Sequence, residues 1–205
     1  MRKHLLIAAA TAVVSLPSFA NSPYIAVELA GGKYNTSTSV PSDDAIIHDM
    51  DEVGSLAVKG GFIINDNFRS YGYFQFDAES EYTQSMLLES ETFTLNGHQL
   101  GLGADYTYNL TSNLYLLAGA RIGYYKSELE LEHRLLNSTS KITSSNSGVT
   151  YGLNTGVGYM FTNKLGMEAG YRYSYFVGNE HKFGNAEFGT FKESNIAFIN
   201  GIFKF

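Results

Sequence analysis

Eight stretches of this chain alternate apolar and polar residues with a period of two: 23–34, 53–65, 68–78, 93–108, 114–125, 148–161, 165–176 and 193–205. That period belongs to β-strands, whose successive side chains point to opposite faces. In 165–176, LGMEAGYRYSYF, one face carries Leu165, Met167, Ala169, Tyr171, Tyr173 and Tyr175. The other carries Gly166, Glu168, Gly170, Arg172 and Ser174. The division recurs along the chain: Ile25, Val27 and Leu29, Leu56 and Val58, Leu100 and Leu102, and Ala118, Ala120 and Ile122 share the apolar side. Glu28, Lys59, Asp77, Asp105, Arg121, Glu168 and Arg172 share the opposite side with many glycines, and Arg69 and Lys204 join it near one rim.

The two faces ask for different surroundings. If the charged face met water, its glycines would weaken the strands with no packing gain. If the apolar face meets lipid, the charges must point into the ring, because Lys or Arg on the lipid side costs about 2–4 kcal/mol at the bilayer midplane. Lys59, Arg121 and Arg172 all lie mid-strand, so the wrong orientation would cost about as much as a whole domain's stability. Glycine also suits the inside of a narrow barrel, where eight strands leave room only for close filling. The expected fold class is all-β: an eight-stranded antiparallel up-and-down transmembrane β-barrel with a filled polar lumen.

The connections support this reading. Short polar turns at 66–67, 109–113 and 162–164 alternate with long polar segments at 35–52, 79–92, 126–147 and 177–192. Short periplasmic turns and long external loops are the habit of outer-membrane barrels. Tyr106, Tyr108, Tyr124, Tyr159, Phe161, Tyr173 and Phe205 fall near strand ends and read as interfacial girdles.

Arg2 and Lys3, an apolar run over 5–16 and the small residues before Asn21 read as a signal peptide over 1–20, cleaved after Ala20, with the barrel domain over 21–205. The apolar runs of the remaining sequence are too short for a membrane-spanning helix. With no Cys, the chain can form no disulfide or thiolate metal site. Without Arg2 and Lys3 it carries 12 basic residues against 20 acidic ones, a net charge of −8, which disfavours nucleic acid as a partner. Of the acidic residues, 14 fall in the long segments with no calcium-loop spacing. They read as a solvated surface or as a contact for a basic partner, and neither a metal nor a cofactor is expected.

Three sets of residues are candidates for function. Glu28, Lys59, Asp77, Asp105, Arg121, Glu168 and Arg172 are expected to form a cross-lumen network, with Glu28, Lys59, Arg121 and Arg172 at similar depth and Asp105 and Glu168 lower. Buried charges need partners, so the network reads as a structural plug, with a gated ion path as the alternative. Beyond Tyr124 the inward parity turns apolar, so strands four and five should project above the bilayer. Phe93, Leu95, Leu129 and Leu131 would then cluster over the lumen, with Phe93 opposite Leu129 if the 109–113 turn is symmetric. The cluster would support the hairpin or form a binding mouth. Catalysis finds little support: His98 and His133 have Leu100 and Leu135 two residues on, and His48 and His181 fall in expected loops.

Repeated Gly-aromatic strand ends, LGLGADYTY (100–108), AGARIGYY (118–125), GLNTGVGYMF (152–161) and AGYRYSYF (169–176), with the ending INGIFKF (199–205), make the chain resemble the small eight-stranded outer-membrane β-barrels. That family includes the transmembrane domain of outer membrane protein A and the attachment-invasion locus proteins. The resemblance implies residence in the cell outer membrane. It also implies a barrel-assembly signal in Ala197, Ile199, Phe203 and Phe205, read by the barrel-assembly machinery. Chain size and loop pattern further resemble the accessory colonisation factor A group. The expected function is a non-enzymatic surface protein for adhesion or colonisation, with a narrow pore and an envelope-structural protein as alternatives. The expected partners are outer-membrane lipid and lipopolysaccharide, and a host or matrix protein at the loops.

Overall fold

The computed structural model describes residues 22–38, 48, 50–65, 67–86, 89–135, 138–183 and 186–205. The expected signal peptide lies outside the described residues, as do Asp43, Asp44 and Asp49 of the first long segment. The strands are β1 (Ser22–Ser37), β2 (Glu52–Ile64), β3 (Phe68–Met86), β4 (Glu89–Asn109), β5 (Leu114–Leu135), β6 (Ser138–Met160), β7 (Leu165–Phe176), β8 (Glu180–Phe183) and β9 (Ala186–Lys204). Each of β1 to β7 pairs antiparallel with the next, β7 pairs with β9, and β9 closes the ring on β1. The ring therefore has eight strands, and β8 is a short addition paired to the outer end of β9.

The alternation decides which side faces lipid. Ile25, Val27, Leu29, Val58, Leu100, Leu102, Ile122, Leu153 and Ile199 are exposed on the outside of the ring, while Glu28, Lys59, Arg121, Glu168 and Arg172 are buried inside it. The outward band ends in aromatics. Tyr159 meets Phe161, and Phe203 meets Phe205, at the end bearing the short turns; Tyr151 stacks on Tyr175 at the other. Among the described residues no helix is long and apolar enough to cross a membrane.

The lumen is aromatic as well as charged. Tyr24, Tyr71, Tyr73, Tyr115 and Phe198 pack in its lower half with Leu117, Met160 and Ile202. The inward glycines make this possible. A Cβ on Gly103 would stand 2.4 Å from the Tyr71 ring, one on Gly158 2.2 Å from the Tyr115 ring, and one on Gly170 2.5 Å from the Phe198 ring. Each of these glycines is a seat for a ring from another strand.

Two of the expected long loops are continuous sheet. β3 runs to Met86, β5 to Leu135, and β4 and β6 start at Glu89 and Ser138, so 79–86, 89–92, 126–135 and 138–147 are strand. The expected projection of strands four and five thus involves four strands, β3 to β6. The residues 138–147 pair one by one with β5, from Leu135↔Ser138 to Lys126↔Ser147. A strand wet on both sides carries no apolar alternation, so its sequence reads as loop. In β3 a bulge between Asp77 and Ser80 reverses the inward parity and hides the continuing strand. The 109–113 turn also sets a register two residues from the symmetric one: Phe93 pairs with Leu131, and Leu95 with Leu129.

Candidate functional site

Inside the ring the predicted charges fall into two layers. In the upper layer Glu28 of β1 accepts a hydrogen bond from Lys59 Nζ of β2 at 2.5 Å and one from Arg172 Nη1 of β7 at 2.6 Å. One carboxylate thus offsets two cations from different strands. Lys59 also stands over the rings of Tyr71 and Phe198, 5.4 and 5.5 Å from their centroids. Arg121 of β5 meets no carboxylate among the described residues. Its Nη1 and Nη2 donate instead to Gln75 Oε1 at 3.1 Å and Gln99 Oε1 at 3.2 Å, and its guanidinium lies 4.7 Å from the Tyr73 ring centroid. The amide nitrogens of those two glutamines donate to Asp77, at 2.6 Å from Gln75 and 3.4 Å from Gln99. Gln75 and Gln99 therefore link Arg121 to Asp77 without direct contact between the charges.

The lower layer is centred on Arg69, which the sequence reading leaves at the rim. Its guanidinium donates to Asp105 at 2.9 Å and to both oxygens of Glu168, at 2.5 and 3.1 Å. Tyr115 and Asn200 also donate to Glu168, at 2.5 and 2.8 Å, and Asn154 donates to Asp105 at 3.0 Å. The seven predicted lumen residues are all inside, with Glu28, Lys59 and Arg172 together, Asp77 and Arg121 joined through amides, and Asp105 and Glu168 joined through Arg69. Sequence parity could have found Gln75, Gln99, Asn154 and Asn200, since all four share the inward face; neutral amides did not stand out beside charges.

Above the lumen, Phe93, Leu95 and Leu129 are buried with Met50, Phe188 and Phe191, and Leu131, Tyr34 and Tyr82 pack against them. Phe93 stacks on Phe188 with centroids 4.9 Å apart. The predicted mouth residues thus form a closed lid rather than an open cup. Its partners from 177–192 were not visible in the sequence because they come from a distant segment. Between lid and network lies a cavity of about 20 Å³ bordered by Tyr34, Asp77, Leu95, Ser127, Phe176 and Asn179, room for about one water.

The outer face of the projecting sheet is charged but internally paired. Lys141 reaches Glu130 at 2.5 Å and Glu132 at 3.0 Å, and Lys126 reaches Glu128 at 2.6 Å. Ser145 adds a bond to Glu128 at 3.1 Å, and these bonds with the Lys126 ammonium hold the Glu128 carboxyl below its ordinary range. Ala197, Ile199 and Phe203 of the last strand, with Phe205 just after it, face outward together. Among the described residues no group of acidic and histidine side chains is placed to hold a metal ion.

A polar-lined, aromatic-girdled ring of eight strands with one end raised above the bilayer is the architecture of an outer-membrane barrel. The chain belongs to the outer membrane protein beta-barrel domain family, whose model matches residues 6–194, and its place is the cell outer membrane. Among solved structures it is similar to neisserial surface protein A, at 22% identity over 89% of this chain and 97% of that one, TM-score 0.59. It is similar to the outer membrane protein OprG of Pseudomonas aeruginosa, at 12% identity over 92% and 98%, TM-score 0.52. It is also similar to the attachment invasion locus protein of Yersinia pestis, solved with the heparin analogue sucrose octasulfate, at 13% identity over 90% and 98%, TM-score 0.50. At these identities the likeness is one of fold. A search of curated proteins finds no match.

Proposed function

We propose that this barrel is a non-enzymatic surface protein that serves adhesion or colonisation by presenting the β3–β6 sheet to a host or matrix protein. The observation that carries the reading is the sheet itself. β5 continues ten residues beyond Tyr125, to Leu135, and β6 is paired to it along that whole length, about 30 Å of strand. Filling the lumen while building so much ordered structure outside it suits contact better than passage. Acidity alone supports the reading less than the sequence suggests, because Glu128, Glu130 and Glu132 are already offset by Lys126 and Lys141. Glu79 and Glu81, exposed on β3, leave that side of the sheet acidic and suited to a basic partner. The lipid-facing band supports outer-membrane lipid and lipopolysaccharide as further partners, and the outward residues of the last strand support the barrel-assembly machinery that the family resemblance implies.

Cells carrying the barrel with the sheet trimmed (126–147 replaced by a short turn) test the reading. Binding to immobilised matrix protein and to host cells should fall to the level of cells lacking the chain, with surface amount unchanged. Undiminished attachment would favour an envelope-structural role.

A further inference from the structure

The segment joining β7 to β9 crosses the upper end of the barrel, and its hold on the projecting sheet is centred on one imidazole. His181 of β8 is fully buried. Its Nδ1 lies 3.2 Å from the carbonyl oxygen of Ser144 in β6, and its Nε2 lies 2.8 Å from Ser127 Oγ in β5. A carbonyl oxygen only accepts, so Nδ1 carries the proton of the neutral ring and Nε2 is left to accept from the Ser127 hydroxyl. The ring stands edge-on to Phe191, with centroids 6.0 Å apart. Other bonds fasten the same segment: Asn146 Nδ2 donates to the carbonyls of Gly178 at 2.6 Å and Glu180 at 2.8 Å, and the Lys182 amide donates to Ser144 Oγ at 3.2 Å. Phe188 and Phe191, which follow β8, complete the lid over the lumen.

From these contacts we infer that His181 is an acid-sensitive latch: in its neutral form it ties β8 to β5 and β6, and protonation releases the strap and uncovers the apolar lid. An imidazolium donates from both nitrogens. The Ser144 carbonyl still accepts one of these bonds, but Ser127 must turn its own hydrogen away, and the new charge sits against Phe191. Among the described residues no carboxylate is bonded to the ring. β5 presents Ser127, β6 the Ser144 carbonyl and β9 Phe191. On the strap itself, Glu180 and Lys182 pair with each other at 3.7 Å on its exposed side. Asp77 borders the cavity beside Ser127 but makes its bonds to Gln75 and Gln99.

Burial holds the His181 ring below the ordinary imidazole range, partly offset by its bond to Ser144. The closed strap therefore takes up its proton at a lower pH than the released one. Above the ordinary value of about 6.5 the latch is intact. As pH falls through that value the released form gains the proton first, and its population rises by up to tenfold per pH unit. The rise stops once the buried ring itself titrates.

Amide hydrogen exchange on the full chain folded in lipid vesicles tests this, with β7 as internal reference and rates corrected for chemical exchange. Between pH 7.5 and 5.0 the opening of 180–183 and 186–191 should increase relative to β7, by at most about tenfold for each pH unit below the ordinary imidazole value, and apolar-dye binding should rise with it. In His181→Asn, whose amide can still donate to the Ser144 carbonyl, that dependence should vanish. Equal corrected opening of the wild-type strap at both pH values overturns the latch. Should His181→Asn be open throughout, the wild-type imidazole titration decides: a midpoint below the ordinary histidine value supports the latch, and one at or above it overturns it.

Discussion

Glu28 shows what a single residue carries in so narrow a space. Its two oxygens bind Lys59 and Arg172 separately, at 2.5 and 2.6 Å, so it offsets two buried cations at once. Glu28→Gln would leave both without a counter-charge, at a cost of about 3–5 kcal/mol. The expected outcome is a lower urea midpoint for loss of the compact, heat-modifiable form, with the slope of the transition unchanged. Parity and a count of residues from the turns suffice to place Glu28, Lys59 and Arg172 together. The choice of Arg69 for Asp105 and Glu168, and of Gln75 and Gln99 for Arg121, depends on distances across the ring that no period reveals.

At the scale of elements, the projecting sheet and the segment over it stabilise each other. Phe93, Leu95 and Leu129 come from the sheet, Phe188 and Phe191 from the start of β9, and Met50 from the segment before β2. Leu129 is fully buried among them. Leu129→Ala should cost about 2–5 kcal/mol locally, and because the lid lies outside the bilayer the loss should fall on the sheet. Limited proteolysis of intact cells should then cleave within 126–147 much faster than in wild type, while the membrane-embedded ring keeps its heat-modifiable mobility. The alternation of Glu128, Leu129, Glu130, Leu131 and Glu132 made the start of this extension legible. The polar run 138–147 could not be recognised as strand, because β5 supplies the partner that makes it one.

Considered whole, the molecule is a closed ring with two obstructions in series. Two layers of ion pairs and tyrosine rings fill the lumen, and an apolar lid covers its outer end. In planar bilayers the purified barrel should show no stable openings at ordinary salt. Steady conductance that disappears on Arg121→Ala would establish a pore and displace the contact reading. The same obstruction supports the proposal that a partner meets this protein on the outside, on the β3–β6 sheet.

By itself the sequence determined that the chain is a ring of eight strands in the outer membrane, with its charges inside. It could do so because a period of two, joined to the high cost of cations in hydrocarbon, leaves only one orientation for each strand. The tertiary structure decided how far the sheet above the membrane extends and what covers it. The bulge after Asp77 and the pairing of 138–147 with β5 arise within hairpins of polar residues, and His181 meets Ser127 across 54 residues of chain. None of these features leaves a periodic mark of apolar residues in the segments that make it.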